Sequence, residues 1–451
     1  MNLQEIAKAC GGKLISPQNA ENLLIDDITI DSRTVRSGSL YIPIRGARFD
    51  GHDFISSVFE NGAVCTLTEH PDENLSKPQI AVESTSAALR DIAEYYRSLF
   101  PNLRVIGVSG SSGKTSTKEM ICSVLSEHFS VLKTEGNLNN EIGVPKTIFR
   151  IDESHEVAVI EMGINHFGEM TRLAKIVRPD IAVITNIGTA HLEFLETRDG
   201  ILKAKTEMLP FLAENGTAVL NGDDDKLITV DSVKTSFFGF GKHNSIRAEK
   251  ITTHGIEGTS FTIITGGTEY EAFVPALGNH MIMNALAAFK ISEILGMPAT
   301  EAINGIKNFK NIEGRFNVIK TGLFTLINDC YNANPDSVEA SLRVVGELKG
   351  KKSAVLADMK ELGDTSEKMH RKIGSFAAEN LDTIIAIGPE ARYIAEEAKK
   401  TNPSVTAVHF DDNESAKKEM MNYLEKNDTI LIKGSHSMNL SEITSFLREM
   451  C

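Results

Sequence analysis

The stretch 103–128 constrains this chain more than any other. An apolar run, LRVIGVSG, ends in the turn Gly110-Ser111-Ser112-Gly113, and Lys114-Thr115 opens a segment of helical periodicity that reaches His128. A buried strand feeding a glycine-rich turn and then a helix aims several backbone N–H groups at one point, at the positive end of the helix. Such a turn holds phosphate oxygens. Lys114 is then placed for the β- and γ-phosphates, and the Thr115 hydroxyl for Mg²⁺. The general pattern has a glycine five residues before Gly113, whereas this chain has Val108 there and its nearest glycine is Gly107. A chance Gly/Ser turn is the competing reading, and the order strand, loop, GKT, helix weighs against it. The expectation is an ATP or GTP site.

Around this loop the rhythm is strand, helix, strand. Apolar runs at 156–163 and 180–188 alternate with helical patterns, as in a parallel α/β sheet. Residues 1–100 mix short strands and helices, with a helical pattern near Ser86–Phe100 that Pro101 stops. A Gly/Thr-rich region at 235–275 reads as antiparallel strands attached to the central unit, followed by helices near 280–296 and 299–308. Apolar runs at 324–328, 353–357, 383–387, 405–409 and 429–432 then restart the rhythm as a doubly wound, Rossmann-like unit. At one domain per roughly 150 residues, the 451-residue chain is expected to be an α/β protein of three domains, 1–100, 101–313 and 314–451.

Composition narrows what the phosphate loop serves. Lys and Arg number 47 against 61 Asp and Glu, a net charge of −14. Broad nucleic-acid binding rests on phosphate neutralisation by Lys and Arg, so that class is excluded and any phosphate site must be local. No run approaches the ~20 apolar residues of a membrane span, and the N-terminus reads as a short amphipathic helix. Five scattered cysteines without a CxxC pair indicate neither a disulfide framework nor a zinc site. A reducing cytoplasm is expected.

Three further residues bear on the chemistry. Glu161 ends an apolar strand in EMG, and ligand-binding residues of parallel sheets gather beyond the carboxyl ends of strands, so it should face the loop. His191 follows the next strand in TNIGTAHLE. Its imidazole suits a second metal, and a surface-loop histidine is the alternative. Lys205, in LKAKTEML, is by itself an ordinary solvated lysine on a helix.

Together VSGSSGKT, EMG, TNIGTAHLE with AKTE downstream, and LGNHMIMNALAA resemble the central domain of the Mur ligases, ATP-dependent amino-acid and peptide ligases of bacterial cell-wall synthesis. DSRTVRSGSLYIPIRGARFDGHDFI resembles the UDP-sugar-binding region of two branches of that family. TEGNLNNEIGVPKT, NDCYNANPDSVEAS, LADMKELGD and LIKGSHSMNL are similar to the branch that adds a dipeptide. The resemblance runs from about residue 25 to 442.

It implies an N-terminal UDP-MurNAc-binding domain, a central ATP-binding domain and a C-terminal closing domain. The implied substrates are UDP-MurNAc-tripeptide and D-Ala-D-Ala, joined through an acyl phosphate by a monomeric, ADP-forming enzyme. Lys114, Glu161, His191 and Lys205 would be catalytic, with Thr115, Glu161, His191 and Lys205 around Mg²⁺ and Lys205 carrying an N-carbamoyl group. Gly110, Ser111, Ser112, Gly113, Lys114 and Thr115 would bind ATP, with His280, Asn284, Arg315 and Asp329. For His280 and Asn284, a helix whose Asn merely caps or faces solvent is an equal alternative. Ser32, Arg33, Gly46, Asp50, His52, Asn137, Asn139, Asn140, Tyr331, Asn332 and Asn334 would contact substrate, although an exposed Arg33 is ordinarily just solvated. His436 stands where the family more often has Arg, and Tyr41-Ile42-Pro43 replaces Phe-Val-Ala. Competing readings are another Mur ligase or a folylpolyglutamate-synthase-like ligase, and an NTP-dependent switch protein.

Overall fold

The apolar runs of the central region become strands buried on both faces, because consecutive side chains point to opposite sides of a sheet. Ile106, Val108, Val159 and Val183 enter one core, packed under the helices Lys114–Leu125 and Asn279–Ile294. Val105, Ala158, Ile160 and Ile184 enter the other, under the helices Glu169–Val177 and Arg198–Thr206. This computed structural model describes residues 1–16, 20–46, 49–72, 74–189 and 192–450.

Among the described residues the strands form three sheets. The first has five strands in the order Lys13–Ile15, Gln79–Ala81, Cys65–Thr68, Ser39–Tyr41, Asp27–Thr29, with the first pair antiparallel and the rest parallel. The central sheet has nine. It runs Thr268–Val274, Thr259–Thr265, Ile246–Thr253, Thr235–Gly239, Thr217–Asn221, Ile181–Ile184, Arg104–Ser109, Val157–Glu161, Val131–Lys133. The third has six, in the order Asn317–Lys320, Thr325–Asn328, Thr429–Lys433, Lys352–Ala357, Thr383–Ile387, Thr406–Phe410, and only its first pair is antiparallel. Each sheet has hydrophobic cores of its own.

Two expectations need correction. The strand Thr235–Gly239 pairs parallel with both Thr217–Asn221 and Ile246–Thr253, and antiparallel pairing begins only at Thr259–Thr265. The segment 222–234 carries the chain back along the sheet before it re-enters, which parallel pairing requires. The helix expected to reach His128 ends at Leu125.

Candidate active site

The phosphate loop leaves the strand Arg104–Ser109 at the carboxyl edge of the central sheet. Gly110 has φ +150°, and a Cβ there would collide with the Thr185 hydroxyl. Gly113, at φ +76°, is the left-handed residue from which the helix Lys114–Leu125 starts. Both positions require glycine. The segment after the neighbouring strand Ile181–Ile184 holds the loop from behind. Asn186 O accepts from Ser111 N–H (3.0 Å), Asn186 Oδ1 from Ser112 N–H (3.1 Å), and Thr185 Oγ1 donates to Ser112 O (2.6 Å). Lys114 Nζ donates to Gly110 O at 2.9 Å, folded back over the loop.

Glu161 is the last residue of its strand and is buried. Its Oε1 accepts from Thr115 Oγ1 (3.2 Å) and Asn139 Nδ2 (2.8 Å), while Oε2 is buried with no hydrogen-bond partner. The nearest cation to that orphan oxygen is Lys118 Nζ at 3.8 Å, itself buried and donating to Thr134 O at 2.7 Å. An unsatisfied buried carboxylate oxygen beside a hydroxyl is a donor set for a hard divalent cation such as Mg²⁺. Lys205 lies on the helix Arg198–Thr206, started by the Thr197 cap, and is 1 % exposed. Burial, with repulsion from Lys114 added, pulls its amine well below the ordinary lysine range. Burial in the cleft also lowers Lys114; Glu161 opposes this and Arg315 reinforces it. His191 lies outside the described residues.

The third domain supplies the facing wall. The Arg315 guanidinium stacks on the Tyr331 ring at 3.9 Å, and His436 meets that ring edge-on at 5.7 Å. Asp329, expected at the nucleotide, has its oxygens engaged within its own domain. Lys433 Nζ (2.6 Å) and Ser341 Oγ (2.7 Å) reach Oδ2, and the Phe316 N–H reaches Oδ1 at 3.1 Å. Phe316 holds φ +53°, a conformation an aromatic residue adopts only where its surroundings impose it. His280 of the central domain, itself exposed, faces Phe316 across the cleft, ring to ring at 5.9 Å.

Other candidates turn out to shape the chain. Asn284 accepts from Thr117 Oγ1 at 2.7 Å and so pins the two helices that cover the sheet. Asn140 Oδ1 accepts from Gly143 N–H at the head of the helix Gly143–Ile148, and Asn334 caps the helix Pro335–Gly346. Asn332 Oδ1 accepts from Ala333 N–H, and Asn137 is exposed.

The first-domain candidates gather around buried Tyr41, whose hydroxyl donates to Gly51 O (2.9 Å). Burial, with Asp31 and Asp50 adding their charges, raises that hydroxyl to about 12. Arg33, next to half-buried Ser32, forks onto Asp31 (2.9 and 2.7 Å), holding that carboxyl at about 2. Asp50 accepts from Arg45 Nε (2.8 Å) and His52 Nδ1 (2.7 Å), and Gly46 N–H donates to Phe49 O.

A groove of about 1060 Å³ opens at the opposite edge of the central sheet, against the strand beginnings at Arg104, Val157, Ile181 and Thr217. None of the candidate residues lines it, and ligands of parallel sheets bind at the carboxyl edge.

Three family models match the chain. These are the Mur ligase middle domain over residues 108–292, the Mur ligase glutamate ligase domain over 314–436, and the catalytic domain of the Mur ligase family over 24–105. A UDP-N-acetylmuramoyl-tripeptide–D-alanyl-D-alanine ligase of Bacillus subtilis is 38% identical, with 99% of this chain and 98% of the relative aligned. The chain belongs to the Mur ligase family.

Its structural neighbours agree. MurF from Acinetobacter baumannii superposes with a TM-score of 0.91 at 32% identity, covering 99% of this Mur ligase and 98% of that chain. A Thermotoga maritima MurF ligase in complex with ADP gives 0.86 at 30% identity, covering 95% and 98%. Several residues of this Mur ligase escaped the reading of its sequence. Thr185 and Asn186 sit inside a quoted motif, and their position at a strand's carboxyl end was the available signal. Lys118 gave none, whereas Lys146 sits inside TEGNLNNEIGVPKT. Lys146 is exposed on the helix Gly143–Ile148, and its charge helps lower the Asp31 pKa.

Proposed function

We propose that this chain joins D-Ala-D-Ala to UDP-MurNAc-tripeptide, with ATP going to ADP and phosphate. The observation that carries the reading is the convergence of Lys114, Thr115, orphaned Glu161 and buried Lys205 at one edge of the sheet. The near-complete alignment with dipeptide-adding relatives supports the choice of substrates.

A carboxylate does not acylate an amine, because oxide is a very poor leaving group. The tripeptide carboxylate attacks the γ-phosphorus and ADP leaves. The dipeptide amine then attacks the acyl carbon, and the tetrahedral intermediate expels inorganic phosphate as the nitrogen gives up a proton. Two anions must meet first, so cations have to offset their repulsion. Lys114 and the phosphate-loop N–H groups hold the triphosphate, and Arg315 closes on it from the third domain. Thr115, Glu161, His191 and a carbamylated Lys205 would hold Mg²⁺, which supplies charge neutralisation at the transferring phosphoryl group. Carbamylation needs a neutral amine, which adds to CO₂ with loss of a proton, and burial shifts Lys205 towards that neutral form. Ser32, Arg33, Gly46, Asp50 and His52 face the UDP end, and an arginine fork suits a diphosphate. The same reading has a monomer working in the reducing cytoplasm.

The deciding assay supplies ATP, Mg²⁺, UDP-MurNAc-tripeptide and D-Ala-D-Ala, with single omissions. Phosphate release should require all four. Release that ignores omission of the dipeptide would overturn the reading.

A further inference from the structure

Asp336 stands in the first turn of the helix Pro335–Gly346, just after the capping Asn334. An acid there is favourable in itself, because it faces the positive end of the helix. That accounts for the residue type and not for where its carboxylate goes. Oδ2 crosses to the central domain and accepts from both the backbone N–H and the hydroxyl of Thr189, each at 2.8 Å. The approach is close enough that a Cβ on Gly188 would stand 2.6 Å from the same oxygen. Gly188 N–H in turn donates to Ser111 Oγ of the phosphate loop at 2.9 Å. Three and two residues upstream, Thr185 and Asn186 hold Ser112. The segment 185–189 is therefore gripped by the phosphate loop on one side and by a third-domain carboxylate on the other.

We infer that Asp336 is a positioning residue that couples closure of the third domain to the phosphate loop, through Thr189, Gly188 and Ser111. The inference rests on the ATP-dependent reading for its nucleotide alone. A carboxylate accepting two donors is a stronger tie than a neutral acceptor. When the third domain swings away, that tie is lost and the segment keeps only its anchors within the central domain. Besides the phosphate-loop contacts, those anchors include Asp224 Oδ2 on Ile187 N–H (2.7 Å), Arg198 Nε on Ile187 O (2.9 Å), Asn221 Nδ2 on Thr185 O (3.1 Å) and Thr185 N–H on Ser109 O (3.0 Å). Loss of Asp336 thus loosens the segment without releasing it. Linkage makes the coupling reciprocal: closure tightens nucleotide binding by the same factor by which nucleotide favours closure.

The test compares wild type with Asp336→Ala, Thr189→Val, Thr189→Ser and the double variant Asp336→Ala/Thr189→Val. ADP affinity is measured by calorimetry, and the radius of gyration of the ADP-bound protein by solution scattering. Asp336→Ala should weaken ADP about tenfold, the scale of hydrogen bonds to a charged group, and enlarge the radius. Thr189→Val, keeping its N–H, should weaken ADP about threefold, while Thr189→Ser binds as wild type. The double variant should be no weaker than Asp336→Ala, since both substitutions remove one shared contact. Unchanged ADP affinity in Asp336→Ala, or additive losses in the double variant, would overturn the inference. A purely helix-stabilising Asp336 gives the second result. Should Asp336→Ala fail to fold, equal ADP affinity of Thr189→Val and Thr189→Ser overturns it as well. ADP binding needs neither sugar nor dipeptide, so failure of the ligase assay leaves this test standing.

Discussion

Around the phosphate loop Glu161 and Lys205 are buried, Glu161 with one oxygen unpartnered, whereas at the rim of the first domain Arg33 and Asp31, and Arg45 and Asp50, are paired near solvent. Glu161 Oε2 has no hydrogen-bond partner and Lys205 has its amine pulled down by burial. The Arg33 side chain is 86% exposed, and its charge is met by Asp31 at 2.7 Å. Burial without a partner has a cost that folding alone does not recover, so such groups point to a ligand that completes them. An exposed pair contributes little to stability and is free to rearrange. The central site therefore suits a charged ligand, and the first-domain pairs are free to exchange partners.

The largest effect expected from that contrast is at Lys205. Lys205→Ala should lower kcat about a thousandfold, the upper range for removing one group that stabilises transferring charge, while ADP still binds. Steady-state phosphate release and ADP calorimetry check the pair, and near wild-type turnover would remove Lys205 from the chemistry. Loading the wild type with ¹³C-bicarbonate should add a carbamate carbon resonance that Lys205→Ala lacks. Glu161→Gln comes next. It keeps the shape and the hydrogen bonds from Thr115 and Asn139 but removes the charge. Activity should fall about a hundredfold, within the range for disturbed metal sites, and the Mg²⁺ concentration needed for half-maximal rate should rise. An unchanged Mg²⁺ requirement would leave Glu161 a packing residue and erase half of the contrast.

Lys205 also links the contrast to pH. Its folded pKa lies well below the value near 10.5 of an unfolded chain. Between those two values the unfolded chain binds one more proton than the folded one. Stability of CO₂-free protein therefore rises with pH, by up to about 1.4 kcal/mol per unit, and is lowest below the folded pKa. Melting temperatures from neutral pH towards 9 should climb in the wild type relative to Lys205→Met. Parallel curves would mean the amine is already charged in the fold.

How much of this was legible in sequence follows the range of the interactions. The phosphate loop could be read because strand, Gly110, Gly113, Lys114 and Thr115 lie within a dozen residues and their order carries the geometry. Glu161 could be placed because the ends of parallel strands gather at one edge. Asn139 over Glu161, Asp336 on Thr189 and the Asp329–Lys433 pair join residues 22, 147 and 104 positions apart. No local pattern announces such pairs. Thr235–Gly239 failed for a related reason: alternation fixes which face a residue takes, and the direction of a strand depends on where the connection crosses. Asn334 shows the converse, since a cap and a ligand contact use the same residue type at the same kind of loop end.

The smallest effect tests the first-domain side of the contrast. On the proposed reading, Arg33 would exchange its solvated fork onto Asp31 for one onto the diphosphate of the sugar nucleotide. The net gain on binding is the difference between two similar interactions. Arg33→Ala should accordingly raise KM for UDP-MurNAc-tripeptide about threefold, the scale of an exposed ion pair, and leave kcat, KM for ATP and the melting temperature unchanged. The shift should shrink as salt rises, because exposed charges are screened over about 8 Å at physiological ionic strength. A loss in kcat comparable to that of Glu161→Gln would show that the rim is not separable from the buried site. Arg33 would then reach the reacting end of the substrate, and the division drawn from burial would have to be abandoned.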